Sequence, residues 1–547
     1  MACSRRAWIA ATLGTTAGLV PGCAPRDLPP AGTLLSPNVV AGHWIRDGRL
    51  DATRSGGRAR RAAVVIVGGG IAGLSTAWRL RRAGFDDFIL LELESQPGGT
   101  SRAGRQGRQA YPWGAHYVPV PMQENAALIH LLEEMQVVVG RRADGQPVVA
   151  ETQLCRDPQE RVFVEGRWQE GLYPALGAAD QDLAELERFR QHMDSWAGRH
   201  GEDGRRAFAI PLAHSSRDPR FLALDRMTMG DWLRKHAYRS PRLRWLVDYA
   251  CRDDYGLSVE DTSAWAGLFY FVSRIRLPGQ PSQAVITWPE GNGRIVQHLT
   301  DRAGPAVHTG WAVHGITQSR SGGAEVRALH TTDRTAAHWQ AEQVVYAGPQ
   351  FAAPHVIDGF DRQRSADFRY GSWIVSNVHL RKRPPEPGFP MCWDNVIYGS
   401  RSLGYVNAAH QTGRDHGSTV LSWYYPLASL PGPVARRRML AADWQDLAAL
   451  TVTDLQLPHP NIAGQIERLD VMRWGHAMVQ PRAGFVWSRQ RRAAAQALGR
   501  VHFANTDLSG VALMEEAFYH GIRAAEEVLA ARGHPFESML TFVPHDC

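Results

Sequence analysis

"AAVVIVGGGIAGLSTAWRLRRAGFDDFILLELESQPGGTSR", residues 62–102, is the stretch from which the fold can be read. Its first six residues form a continuous apolar run, as expected of a short strand buried on both faces in a parallel sheet. "AGLSTAWRLRRAG" then places Leu74, Ala77, Trp78 and Leu80 at helical spacing with arginines on the other face, and "FILLEL" is a second buried strand. The result is a β-α-β unit. At its first turn Gly68, Gly70 and Gly73 fit G-x-G-x-x-G, and Glu92 lies 19 residues beyond Gly73. Gly68 permits the tight turn, Gly70 a close approach of backbone to a pyrophosphate, and Gly73 tight helix–strand packing; the helix N-terminus offers unpaired N–H groups to phosphate. A carboxylate at the end of the second strand, such as Glu92, can accept both ribose hydroxyls. A glycine turn without a ligand accounts for Gly68 alone.

NAD and FAD both fit this unit. A second glycine pair, Gly98 and Gly99, follows Glu92 at once and leads into Thr100, Ser101, Arg102 and Arg105. A second phosphate-approaching loop beside cationic and hydroxyl groups suits a larger, extended dinucleotide. The whole stretch resembles the FAD fingerprint of the flavin-containing amine oxidase superfamily, which includes protoporphyrinogen oxidases and phytoene desaturase-like enzymes. Three distant segments extend the resemblance. "WPEGNGRIVQHL", with Gly291 and Gly293, is similar to the family's central glycine segment, and "TGWAVHGI" resembles the strand that meets the adenine, which implies that role for Val313. "VHFANTDLSGVALMEEAFYHGIRAA" resembles the closing FAD motif. By that resemblance Asp507 approaches the pyrophosphate or ribityl chain, and the N–H groups of Met514 and Glu515, opening a helix, face the flavin O2 edge.

The same comparison shows departures. The family commonly carries a lysine, linked through water to flavin N5, on a strand that here reads "GSWIVSNVHL"; it holds no lysine, and Asn377 or water takes that role. Leu513 stands where many members set one aromatic wall of an amine cage, whereas Trp474 resembles the region of the other wall. In "YPWGAHYVP", Gly114 and Ala115 permit close approach to a flavin, and His116 or Tyr117 faces substrate; a hydrogen-bonded structural histidine is an equal reading for His116. Asp253, Asp254 and Tyr255 end a helix. The acids there are read as solvated caps in preference to partners of a cationic substrate, and Trp265, Phe269 and Tyr270 as core.

The chain has 547 residues, 44% hydrophobic and 21% charged, which is globular in composition and long enough for two or more domains. Its net charge of +7 comes from basic residues interleaved with acids, which excludes a nucleic-acid-binding tract and predicts a mildly basic solvated surface. The only lysines are Lys235 and Lys382. Six cysteines, Cys3, Cys23, Cys155, Cys251, Cys392 and Cys547, show no C-x-x-C spacing, so no metal site is expected and isolated buried thiols are the favoured reading.

Residues 1–23 read as an export signal: Arg5 and Arg6 resemble a twin-arginine motif, a short apolar run follows, and "LVPGC" resembles a lipoprotein box in which lipidated Cys23 tethers the protein to a membrane. The protein is therefore expected to be periplasmic or membrane-anchored. Residues 24–60, rich in Pro, Gly and Arg, read as a linker. The stretch 117–285 reads as mostly helical, and strands return after it. The fold class expected is α/β: a discontinuous Rossmann-like FAD-binding domain from 61–116, 285–350 and 490–535, with a mixed α+β substrate domain from 117–284 and 351–489. The expected function is an FAD-dependent oxidoreductase of amine oxidase type, moving a hydride from a small-molecule substrate, an amine by preference, to flavin N5, with O2 or another acceptor closing the cycle. A desaturase or protoporphyrinogen oxidase-like activity on a hydrophobic substrate, and a flavin-binding protein without turnover, stay open as alternatives.

Overall fold

The strand Arg60–Val67 lies inside a seven-stranded sheet, flanked in parallel by Phe88–Leu91 on one side and Ala336–Tyr346 on the other. This is seen in a computed structural model, which describes residues 31–50, 58–320 and 322–540. Alternate side chains of the strand enter opposite layers. Val64 and Ile66 pack under the helices Ile71–Arg82, Ala126–Glu134, Gly293–Ala303 and Met514–Ala531. Val65 and Val67 pack with Val313, Val326, Val356 and Phe503 on the other face. Burial on both sides explains the unbroken apolar run. Val64, Val65 and Ile66 are fully buried, each worth about 1.5–3 kcal/mol relative to exposure. The remaining strands are Val307–His308, Trp311–Gln318, Ala324–His330 and Val501–Phe503, so the sheet collects segments from both ends and the middle of the chain.

An eight-stranded sheet forms the second layer system. Tyr370–Leu380 runs antiparallel between Thr419–Pro426 and Ile466–Val479, and the sheet continues through Tyr405–Asn407 and Asp394–Ile397 to Glu160–Val164 and Arg167–Glu170. The central strand also alternates. Ile374, Val378 and Leu380 pack beneath the helices Gly432–Ala441 and Trp444–Leu455, while Trp373 and Val375 turn toward Trp113, Tyr424 and Trp474. Helices Asp180–Ala197, Met229–Lys235, Pro241–Tyr255 and Ala264–Val272 close over a third core built on Phe208, Trp232 and Trp265. The mixed α/β architecture expected from the sequence is what is observed.

Two local readings change. In the segment read as a linker, residues 31–50 are structured: Leu34 and Leu35 add a parallel edge strand against Val471 and Met472. Asn38 then caps the helix Val39–Arg46 through Ala41 N at 3.0 Å and donates its own N–H to Glu94 at 2.7 Å. Two leucines and one capping asparagine make a periodicity too short to see beside the surrounding Pro and Gly. Within the stretch read as mostly helical, Val138–Arg141 pairs with Pro147–Val149 and Glu160–Val164 with Arg167–Glu170. The second hairpin turns at Glu165 and Gly166, both at positive φ, with Val162 and Val164 alternating into the core. The proposed signal, with Arg5, Arg6 and Cys23, lies outside the described residues. Among the described residues no helix is long and apolar enough to cross a membrane.

Candidate functional site

Two glycine turns meet at the C-terminal edge of the first sheet. Gly68 has φ 108°, and a Cβ there would sit 3.1 Å from the carbonyl of Ala347. At Gly73 a Cβ would overlap the carbonyl oxygen of Gly68, so the helix can press against the turn only without a side chain. Gly98 donates its N–H to Gly69 O at 2.7 Å, and a Cβ on Gly99 would lie 3.6 Å from Gly70 Cα, which brings the second glycine pair onto the first. The N-terminus of Ile71–Arg82 has no side-chain cap, and a Cβ on Gly70 would meet no atom within 4 Å. The helix Met514–Ala531 packs alongside it, with Thr76 Oγ1 donating to Gly521 O at 3.1 Å, and its N-terminus at Leu513 is likewise uncapped. The two helix starts thus lie side by side, that of Ile71–Arg82 opening onto space free of side chains at Gly70.

Glu92 is buried at the rim of this cradle and accepts N–H bonds from Gly69 at 2.5 Å and Glu94 at 2.8 Å. Burial raises its pKa, and those two N–H groups act against it. Val313, in Trp311–Gln318, is buried in the same region, since Trp311 N donates to Glu92 O at 2.8 Å. Arg102 pairs with Glu94 at 3.6 Å and lies over the Trp474 ring at 5.2 Å, while Trp474 Nε1 donates to Trp113 O at 2.7 Å. Asp507 directs Oδ2 to Tyr370 Oη at 2.6 Å and to Gln350 N at 2.9 Å; burial pushes its pKa to about 6. Asn505 is the neighbour that reaches the first turn, donating to Ala347 O at 3.2 Å beside Gly68. Thr506 Oγ1 reaches back to Val511 O at 2.9 Å and so shapes the loop ahead of Met514 and Glu515. The sequence reading passed over both residues because an acid drew attention to Asp507.

The geometry suits a bound dinucleotide flavin: the open space at Gly70, the paired helix starts, and the Glu92 carboxylate held on backbone N–H groups that hydroxyls could supplement. Asn377 is different. It is fully buried, its amide donates to Pro112 O at 3.1 Å, and its carbonyl accepts from Ser422 Oγ at 2.6 Å. Its hydrogen bonds join the central strand to the 109–112 strand and to Thr419–Pro426.

His116 sits in an aromatic cluster close to Gly114. Its Nδ1 lies 3.2 Å from Gly114 O, and its ring contacts Tyr117, Trp393 and Tyr424 at 5.3, 5.4 and 4.9 Å between centroids. Burial lowers its pKa to about 4, so the imidazole is neutral at pH 7. Behind this aromatic wall the carboxylates of Glu160, Asp253 and Asp394 collect. Asp394 and Glu160 are register partners on adjacent parallel strands, and Tyr249 Oη donates to Asp394 at 3.2 Å. Glu160 is exposed at the start of its strand, yet the protein around it desolvates the carboxyl and raises its pKa. Burial raises the pKa of all three acids; each of Asp253 and Asp394 is raised further by neighbouring carboxylates, and Arg274 acts against the rise at Glu160 and Asp253.

Arg274 is the cation of this region. It pairs with Asp254 at 3.2 Å and lies over the rings of Tyr117 and Tyr270 at 5.4 and 5.2 Å. Asp253 and Asp254 are therefore not solvated caps. The helix Pro241–Tyr255 is terminated by Gly256 in the left-handed conformation, and the two acids are carried inward by its last turn. Trp265 and Phe269 are core, stacked at 5.0 Å, but Tyr270 is half-buried on the Arg274 side. Glu160, Asp394, Tyr249, Arg274 and Tyr424 escaped the sequence reading because they come from separate strands and helices with no shared motif. Cys155, Cys251 and Cys392 are buried free thiols, and among the described residues no group of three or more His, Cys, Asp or Glu is placed to hold a metal ion.

Comparison with known proteins gives the same architecture. A family model described as flavin-containing amine oxidoreductase matches residues 71–529. Solved structures that resemble the chain include a putrescine oxidase bound to putrescine, at 15% identity and TM-score 0.64, covering 86% of this chain and 100% of that one. Cyclohexylamine oxidase from Brevibacterium oxydans aligns at 16% identity and TM-score 0.60 over 86% of this chain and 100% of its own. A structure from Exiguobacterium, provisionally described as a protoporphyrinogen oxidase, aligns at 16% identity and TM-score 0.58 over 87% and 100%. No curated protein matches the chain.

Proposed function

The chain belongs to the flavin-containing amine oxidoreductase family, a flavin-dependent oxidoreductase by that membership, and from this premise we propose that it binds FAD and oxidises an amine. The observation that supports the amine is the cluster of acids set among aromatic rings. Glu160, Asp253 and Asp394 stand beside Tyr249 and Tyr424, while Arg274 is shared with Asp254 and two tyrosines. A cluster with more acids than cations, whose pKa values are raised by burial and mutual crowding, ionises more readily when a positively charged guest approaches, and tyrosine faces favour that guest further. A desaturase substrate asks for an apolar tunnel, which these acids would make costly to fill.

The bound flavin supplies the redox chemistry by accepting a hydride at N5. In this reading the helix starts at Ile71 and Met514 place N–H donors at the negatively charged parts of FAD, and Glu92 accepts the ribose hydroxyls. His116, neutral at pH 7, forms a wall with Trp393 and Tyr424 that lets substrate approach without adding a competing positive charge. Asp253, with its raised pKa, is suited to taking a proton from the ammonium, which must become a neutral amine before a hydride can leave its α-carbon. Anaerobic mixing of the purified yellow protein with amines and, separately, with polyenes tests the proposal. Bleaching by an amine supports it; bleaching by polyenes alone sets the desaturase reading in its place. The export reading of residues 1–23 is proposed alongside: replacing Arg5 and Arg6 by lysine is expected to keep the protein in the cytoplasm on fractionation.

A further inference from the structure

Beside Arg274, on the side of the helix Met514–Ala531, lies a small cavity of about 20 Å³. Glu515, Ser273, Arg274 and Asn125 line it together with Met122 and Ile210. Three of its polar lining residues carry a buried side-chain atom without a protein partner: Glu515 Oε1, Ser273 Oγ and Arg274 Nε. Glu515 is only 5% exposed and Ser273 only 2%. A carboxylate oxygen left unpaired in the interior costs on the order of 1–3 kcal/mol or more. A buried water needs at least roughly 10–15 Å³ and two to four polar partners. This cavity meets both conditions with an acceptor, a hydroxyl and an N–H donor.

We propose that the cavity holds one buried water and that this water and the Glu515 carboxylate form a proton-binding site coupled to the oxidation state of the flavin. The inference rests on the FAD reading above. Glu515 is the second residue of Met514–Ala531, whose start lies beside that of Ile71–Arg82; in the FAD reading the flavin would face that helix start, and the Glu515 carboxylate would lie within a turn of it. Burial pushes its pKa to about 7; its own N–H and Arg274 act against the rise, and Asp254 adds to it. The adjacent Glu516 is also raised to about 7 by burial, but it is already bonded to Ser509 Oγ at 2.5 Å and to Leu212 N at 2.6 Å, and it faces Arg491. Reduction adds a negative charge near Glu515 and increases its affinity for a proton, because a like charge disfavours the ionised carboxylate.

For an amine, the ammonium nitrogen gives up one proton to Asp253, which returns it to solvent, and Glu515 takes one proton from solvent as the flavin is reduced; the α C–H bond would break with its electron pair passing as hydride to flavin N5, leaving an iminium ion. On reoxidation two electrons, the N5 proton and the proton held on Glu515 pass to O2 as hydrogen peroxide. The carboxylate thus keeps the proton inside the protein between the two half-reactions.

The test needs no substrate. The midpoint potential of the purified FAD-loaded protein is measured against pH by spectroelectrochemistry for wild type, Glu515→Gln and Glu516→Gln. The first substitution keeps the backbone N–H and the side-chain volume. Wild type and Glu516→Gln are expected to take up two protons per two electrons just above pH 7, and Glu515→Gln one. Ser273→Ala removes one partner of the water and is expected to move the pH at which the slope changes, with the change itself retained. A wild-type slope of one proton throughout, or a two-proton slope that survives in Glu515→Gln, overturns the inference and leaves the amine reading standing. Protein that takes up no flavin overturns both.

Discussion

Asp394 and Glu160 face each other in register across the parallel pair Asp394–Ile397 and Glu160–Val164, two neighbouring acids with Tyr249 donating to the first. Like charges so placed destabilise each other unless a cation or protons intervene. Among the described residues Arg274 is the cation acting on Glu160, and Asp254 already holds it.

Glu160→Gln or Asp394→Asn is therefore expected to weaken amine binding. Loss of one charge-assisted hydrogen bond, about 1.5 kcal/mol, raises the apparent Kd roughly tenfold. Anaerobic titration of the flavin spectrum with the amine reads this directly, and the flavin content of the purified variants should stay at the wild-type level.

Asp253 gives a pH-dependent prediction with a definite sign. Its pKa in the folded protein lies above that of an unfolded chain, so between the two values the folded state holds more protons and stability falls as pH rises. Asp253→Asn removes that loss. Without ligand the variant should gain melting temperature over wild type at pH 8, and the gain should vanish near the ordinary carboxylate pKa of about 4. A gain of equal size at both ends of the range would contradict the assignment.

Gly70 and Gly73 separate cofactor binding from folding. A Cβ at Gly70 meets no protein atom, so Gly70→Ala should fold with an unchanged melting temperature for the flavin-free protein yet bind flavin weakly. At Gly73 the Cβ would strike the Gly68 carbonyl, and Gly73→Val should reduce soluble protein as well as colour. Melting curves and flavin content of both variants check the contrast.

Trp474 holds Trp113 O by its indole N–H and carries the Arg102 guanidinium on its ring. Trp474→Phe loses the hydrogen bond and weakens the stacking, each on the order of 1 kcal/mol. Flavin affinity is expected to fall about tenfold or more, measured by dissociation of the flavin on dilution.

The sequence exposed the nucleotide half of this molecule well, because its signals are local. The run Ala62–Val67, the turn at Gly68 and Gly70, and Glu92 at the end of the next strand obey constraints of backbone conformation and two-sided burial that short stretches display. Gly98 and Gly99 were legible for the same reason, and the structure brings them onto the first turn. The substrate half was not. Glu160 and Asp394 are 234 residues apart and meet only through strand pairing, which no local periodicity announces. Asp253 and Asp254 were visible as acids at a helix end, but the direction they point depends on Gly256 and on how that helix packs. Asn377, which the resemblance places on the strand where the family carries a lysine, has its amide engaged by Pro112 and Ser422, contacts that the strand alone does not announce.

That the flavin takes a hydride from an amine held beside the acids Glu160, Asp253 and Asp394 is checked by anaerobic mixing of the purified yellow protein with a panel of monoamines, diamines, polyamines and amino acids. The account predicts that at least one amine bleaches the oxidised flavin band, and that the same amine bleaches Glu160→Gln only at higher concentration. A colourless protein that takes up no FAD, or a yellow one that no amine bleaches, would contradict it.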